Sequence, residues 1–386
     1  MTLEAWLGTH ESELIGVRRA IHQHPELGRQ EHATTALLVS RLSEAGLSPK
    51  VLAGGTGLVC DIGEGGPVIA LRADIDALPM QDEKEVPYRS QVAGVCHACG
   101  HDAHTAVVLG AGLYLASQPL AGRVRLVFQP AEEQMPGGAL DVIAEGHLDD
   151  VGAIFGLHCD PALEVGLIGL KSGPFSAAAD AIEVRLHGPG GHTSRPHNTV
   201  DLIHALATVA TGLPDALSRM VDPRAGLCLV WGHVSSGNAR NAIPREGVLG
   251  GTLRVLDKAA WEQAPELVER LVQGLVAPYG ARATVTYARG VPPVVNDPAA
   301  TTLLSGAVRS ALGPGAGVPT LQSLGGEDFA WYLDRVPGAM ARLGVRAPGS
   351  LHPVDLHQPS FDLDEAAIGV GVRVLVAAAK AALETV

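Results

Sequence analysis

Val124-Arg125-Leu126-Val127-Phe128 is a β-rich run that leads into Gln129-Pro130-Ala131-Glu132-Glu133, and a second run follows at Ala153-Ile154-Phe155-Gly156-Leu157. Residues 139–145 between them have helical periodicity. Two strands separated by a helix are the unit of a parallel sheet. The alternation extends outward on both sides. Toward the N-terminus, residues 3–23 and 31–44 read as helices, 57–62 and 68–74 as strands, and 104–117 as a helix. Toward the C-terminus, residues 298–312 and 365–383 read as helices, with a short strand at 340–345. The expected fold class is α/β, a mostly parallel sheet covered by helices on both faces.

The middle of the chain has another rhythm. Strands at 181–186, 226–234, 248–255 and 283–287 alternate with helices at 200–217 and 258–275. The order β-α-β-β-α-β is ferredoxin-like. Residues 180–291 are therefore expected to form an inserted α+β domain, and residues 1–179 and 292–386 a discontinuous α/β domain around it.

Composition bounds the function. Of 386 residues, 46 % are apolar and 18 % charged, so the chain can bury a large core. The net charge of −13 disfavours nucleic acid and anionic membranes as partners. Five cysteines are too few for a disulfide scaffold. No signal-like segment opens the chain and no apolar run approaches the ~18 residues of a membrane span, so a cytoplasmic location is expected.

The chemistry gathers in Cys96-His97-Ala98-Cys99-Gly100-His101-Asp102-Ala103-His104, with two thiols, three imidazoles and a carboxylate in nine residues. Cys99 and His101, two apart, would share one side of an extended segment and one metal. A redox pair Cys96/Cys99 suits the neighbouring His and Asp less well. Haem attachment would require His where Gly100 stands. Glu132 and Glu133 follow a strand, where ligands of parallel sheets bind. Neighbouring side chains point apart, so one carboxylate can hold a metal and the other a proton. A solvated acidic turn is the alternative. His158 ends another strand; it is a ligand or a half-buried polar residue. Asp74 and Asp76 share a face at the end of 68–74, as ligands, as acceptors orienting a metal-bound imidazole, or as solvated turn residues. Spacing leaves His352 and His357 undecided. In the insert, His192 ends a Gly-Gly turn, and Asn241 and Arg254 offer an amide and a guanidinium that together suit a carboxylate.

These motifs, in this order, resemble the metal-dependent aminoacylase and carboxypeptidase family, in the branch of hippurate hydrolases, auxin-conjugate hydrolases and N-acyl-amino-acid amidohydrolases. The resemblance spans nearly the whole chain and implies that residues 180–291 are a lid and dimerisation domain and that residues 1–179 and 292–386 form the catalytic domain. It runs from His22-Gln23-His24-Pro25-Glu26 through Gly190-Gly191-His192, Asn241-Ala242-Ile243-Pro244 and Gly326-Glu327-Asp328-Phe329 to His357-Gln358-Pro359-Ser360-Phe361. It implies two divalent metal ions per subunit, Zn²⁺ or Mn²⁺ first and Co²⁺ or Ni²⁺ next. It implies Cys99, His101, Glu133, His158 and His357 as their ligands and selects His357 over His352. Glu132 becomes the general base, and His192 reaches the partner subunit's site in a homodimer, a tetramer being the alternative. Asn241 and Arg254 take the substrate carboxylate. The implied activity is hydrolysis of N-acyl-L-amino acids, with dipeptidase or carboxypeptidase activity as the alternative and a metal-dependent binding protein as a remoter one. Pro189, Thr193 and Ser194 depart from the family pattern beside His192.

Overall fold

A computed structural model describes residues 1–350 and 354–385. The chain divides into two compact units. One comprises Met1–Gly173, Val295–Leu321 and Asp328–Val386; the other comprises Pro174–Val294 and Gln322–Glu327. The second is slightly wider than the 180–291 expected and includes a short return segment with no local sequence signal.

The first unit opens with α1 (Leu3–Gln23) and α2 (His32–Glu44). Strands β1 (Lys50–Val51), β2 (Leu58–Ile62) and β3 (Val68–Asp74) follow. Next come α3 (His101–Ala116), β4 (Arg123–Gln129), α4 (Ala139–Ala144), β5 (Val151–Glu164) and β6 (Ile168–Leu170). The second unit contains β7 (Ala178–His187), β8 (Gly191–His192), α5 (Leu202–Met220) and β9 (Cys228–Ser236). It continues with β10 (Ala242–Ile243), β11 (Glu246–Val255), α6 (Lys258–Val276) and β12 (Arg282–Val291). The chain returns to the first unit with α7 (Pro298–Leu312), β13 (Gly317–Pro319), α8 (Ala330–Leu333), β14 (Gly338–Arg346) and α9 (Ala366–Leu383).

The first unit is built on an eight-stranded sheet in the order β1-β2-β4-β3-β5-β14-β6-β13. Its centre, β4-β3-β5-β14, is parallel, and β2 and β6 join it antiparallel. Every residue of β3 is buried, as expected of a central strand covered on both sides. Helices α1, α3 and α9 pack on one another closely enough that a Cβ at Gly110 would lie 2.6 Å from Leu14 Cδ1 and one at Gly371 2.8 Å from Val107 Cγ1. By length and composition α9 could cross a membrane, contrary to the expectation that no segment approaches that length. Here 67 % of it is buried, against α3, α7 and the sheet, which identifies it as a core helix.

The second unit holds a four-stranded antiparallel sheet in the order β9-β11-β7-β12, the ferredoxin-like order, with α5 and α6 packed against it. Asp201 and Asp257 cap these helices by accepting the His204 and Ala260 N–H groups.

Candidate metal centre

The parallel strands of the first unit converge on one cluster. Asp74 closes β3, Glu132 and Glu133 follow β4, and His158 lies in β5. Strand β5 continues beyond Leu157 because it pairs with β14 as far as Glu164, so His158 sits within the strand and not at its end. Cys99 and His101 flank Gly100, whose φ of +85° is the left-handed start of α3. His101 is thus the first helical residue, and the extended segment expected for this pair is absent. The two side chains still meet. The ligand atoms of Cys99, His101 and His158 lie within 4.8 Å of one another, as do those of Cys99, Glu133 and His357 and those of His101, Glu132 and Glu133. Glu132 and Glu133 do not point apart as expected. Ala131, at φ +54°, bends the chain into a turn that sets both carboxylates 4.0 Å from His101 Nε2. His357 also has a positive φ, +60°, and its N–H donates to the Ala98 carbonyl at 2.8 Å, tying the C-terminal segment to the Cys99 loop. His352 lies outside the described residues.

The donor set fits divalent cations. Cys99 Sγ is 3.3 Å from His357 Nε2 and 3.6 Å from His158 Nε2. Tetrahedral ligands of one Zn²⁺ would have sulfur and nitrogen about 3.5 Å apart. Cys99 therefore stands between two candidate cation positions, one with His101 and His158, the other with Glu133 and His357. The His101 Nδ1 group bonds the Asp76 carbonyl at 2.9 Å and the His158 Nδ1 group bonds the Cys159 carbonyl at 2.8 Å. Both contacts place the ring proton on Nδ1 and leave the Nε2 lone pair for a metal. His101 Nε2 is buried without a hydrogen-bond partner among the described residues, a costly arrangement that a cation would relieve, and Glu133 Oε1 lies 3.2 Å from His357 Nε2.

The local field points the same way. Burial alone would lower the His101 pKa, but Asp74, Asp76 and Glu133 outweigh it and push it up to about 10. Burial, with Glu133 and Glu132 nearby, drives the Cys99 thiol well above its ordinary value. Burial, followed by Arg342, holds His158 well below the usual imidazole range, so it stays neutral.

Asp76 is an orienting residue in this geometry: its Oδ2 also accepts the Glu133 N–H at 3.0 Å. Asp74 divides its oxygens between His104 Nδ1 at 2.6 Å and Arg72 Nη1 at 2.7 Å. His104 then accepts the Cys159 N–H at 2.9 Å. His104 and Arg72 were not identified from the sequence as site residues. An arginine inside the apolar run of β3 was the available signal, since a buried guanidinium requires partners. Arg72 finds Asp74, Gln129 and Asp328, the last at 2.7 Å. A second network, also missed, lies under the first turn of α3. Arg18 bonds Asp102 at 2.7 Å and Asp362 at 2.9 Å, and His22 bridges Asp102 and Asp82 at 2.7 and 3.3 Å.

In the second unit, His192 and Asn241 are neighbours. His192 pairs with Ala242 in the β8–β10 ribbon, and the Thr193 N–H donates to the Asn241 carbonyl at 3.2 Å. His192 Nδ1 accepts the Ser194 N–H at 3.1 Å, which leaves the ring hydrogen on Nε2 as a donor. Arg254 is elsewhere, near the far end of β11. From Glu246 to Arg254 the strand covers about 26 Å at ordinary rise. Within one copy of this unit, Asn241 and Arg254 therefore lie toward opposite ends of β11.

Known proteins extend the comparison. The model of peptidase family M20/M25/M40 matches residues 70–381. An N-acetyl-L-cysteine deacetylase of Bacillus subtilis (strain 168) is 40 % identical over 383 residues, covering 98 % of this chain and 90 % of that protein. A Rhodococcus jostii (strain RHA1) protein, provisionally named glutamate–cysteine ligase 2-3, is 51 % identical over 368 residues. That match covers 95 % of this chain but 46 % of that longer protein, so this chain spans about half of it. The crystal structure of the Bacillus subtilis YXEP protein, described as a dinuclear metal binding peptidase, superposes with a TM-score of 0.86 at 36 % identity over 99 % of each chain. With its cluster of thiol, imidazole and carboxylate groups gathered against the parallel strands, the chain belongs to peptidase family M20/M25/M40.

Proposed function

We propose that this chain is a dinuclear metal-dependent amidohydrolase that cleaves N-acyl-L-amino acids to a carboxylic acid and a free amino acid. The observation that carries the reading is the meeting of Cys99, His101, Glu132, Glu133, His158 and His357. The deacetylase relative supports the N-acyl substrate, and the dinuclear relative supports two cations. Cys99, His101, Glu133, His158 and His357 would hold two divalent ions, Zn²⁺ or Mn²⁺, because thiolate, imidazole and carboxylate together suit such metals. When bound, those ions supply Lewis acidity toward the amide carbonyl and make a coordinated water acidic, with a pKa of roughly 7.

The protein supplies the remaining steps. Glu132 accepts a proton from the attacking water and returns it to the departing amine. His192, with its hydrogen on Nε2, donates to the oxygen that gains charge in the transition state. Arg254 binds the substrate carboxylate. Asn241 shares a ribbon with His192 and lies far along the sheet from Arg254. If both reach one substrate, they come from different copies. In a homodimer, Asn241 and His192 of the partner subunit would therefore act together on a substrate held by Arg254.

The test uses metal-stripped protein reloaded with Zn²⁺ or Mn²⁺ and given N-acetyl, N-benzoyl and dipeptide substrates. Glu132→Gln should bind metal normally and lose about 10²- to 10⁴-fold in kcat. Near-normal turnover would remove Glu132 from the mechanism, and activity confined to dipeptides would make the protein a dipeptidase.

A further inference from the structure

The backbone of Leu324, an exposed apolar residue, is fixed beside a cation. Its carbonyl accepts a hydrogen bond from Arg254 Nη1 at 2.7 Å. The preceding Ser323 N–H donates to the Phe175 carbonyl at 2.9 Å, and the Ser323 hydroxyl accepts the Gly325 N–H at 2.9 Å. The backbone at Leu324 is thus held on both sides, yet its side chain is 55 % exposed. Arg254 has five N–H donors and this contact engages one Nη, leaving the guanidinium's other edge for a carboxylate. No carboxylate pairs with Arg254 among the described residues.

The sheet face around Arg254 is small and uncharged. Cys228 on β9 and Ala179 on β7 stand opposite Arg254, and Val230 and Ala181 stand opposite Thr252, two residues along β11. Val230 is 58 % exposed. In an α-amino acid the side chain branches from the carbon that bears the carboxylate. A carboxylate seated on Arg254 therefore brings that side chain within a few bonds' reach of Leu324. We propose that Leu324 is a specificity-determining residue that favours an apolar side chain on the amino acid released.

This inference rests on the proposed carboxylate role of Arg254, and the experiment separates the two. Measure kcat/KM for N-acetylglycine, N-acetyl-L-leucine, N-acetyl-L-phenylalanine, N-acetyl-L-aspartate and N-acetyl-L-leucinamide with metal-loaded wild type, Leu324→Ala, Leu324→Lys and Arg254→Met. Wild type should favour leucine and phenylalanine over aspartate. Leu324→Ala should lower the leucine-to-glycine and phenylalanine-to-glycine ratios by about tenfold. Leu324→Lys should move the preference toward aspartate. Unchanged ratios, or an equal loss on every substrate, would overturn the role of Leu324. Arg254→Met should abolish the preference for N-acetyl-L-leucine over its carboxamide. If that preference persists, the carboxylate assignment falls and this inference falls with it. If it vanishes while the Leu324 variants keep wild-type ratios, the carboxylate assignment stands and Leu324 is not the determinant. A wild type silent on the whole panel would defeat both.

Discussion

Without a cation, His101 and Cys99 both hold protons at neutral pH: the first because three carboxylates surround it, the second because it is buried. Metal ligation requires the imidazole lone pair and the thiolate. Loading stripped protein with Zn²⁺ near pH 7 should therefore release about one proton from each of these groups, with a further contribution from His357, whose pKa its hydrogen bond to Glu133 raises, readable with a pH indicator in weak buffer. Cys99→Ala should release about one fewer. Release unchanged by that substitution would show that Cys99 is not a ligand. At this scale the sequence was most legible, since thiol, imidazole and carboxylate crowd one short stretch. Two features were not legible. His357 could be chosen over His352 only by family resemblance, because ligand geometry here depends on a contact to Ala98, distant in sequence. The approach of Glu132 to Glu133 depends on the positive φ of Ala131, which a residue with a Cβ does not advertise.

At the scale of the element, the start of α3 decides where two proposed ligands stand. A Cβ on Gly100 would lie 2.7 Å from Cys159 Sγ, and the residue's φ of +85° is itself costly for any other side chain. Gly100→Ala should weaken metal binding by about 10- to 100-fold, measured by competition with a chelator, with far less effect on far-ultraviolet dichroism. Unaltered affinity would show that the loop accommodates the change. Helices α1 and α7 were read with their true limits because periodicity spans many turns. The β8–β10 ribbon was not, since two paired residues leave no periodic trace, and the stretch 322–327 joins the second unit through single contacts such as that of Ser323 with Phe175.

For the molecule as a whole, Arg18 ties together parts of the chain that are far apart in sequence. It bonds Asp102 in α3 and Asp362 and Glu365 before α9, and its side chain is almost wholly buried. Removing one partner from such a pair strands the others, so Arg18→Met should cost about 3–5 kcal/mol of stability, measured by denaturant unfolding. A loss below about 1 kcal/mol would show that the network contributes little. His22 adds a pH dependence. Burial would lower its pKa, but Asp102 and Asp82 raise it above the ordinary 6.5. Because the folded value exceeds the unfolded one, its stabilisation is complete below about pH 6.5 and fades as pH rises through the folded value. The deficit of His22→Gln should therefore be larger near pH 6 than near pH 9. A deficit equal at both would indicate packing, not charge.

Four of the five cysteines are buried and Cys228 alone is exposed, opposite Arg254 on β9. The protein thus carries a native attachment point for a thiol-reactive dye beside its proposed carboxylate anchor. Labelling kinetics at that one position would report occupancy directly: an amino acid bound at Arg254 should slow the reaction. That gives a spectroscopic assay that needs no turnover and no engineered cysteine, and that works whatever the acyl group is.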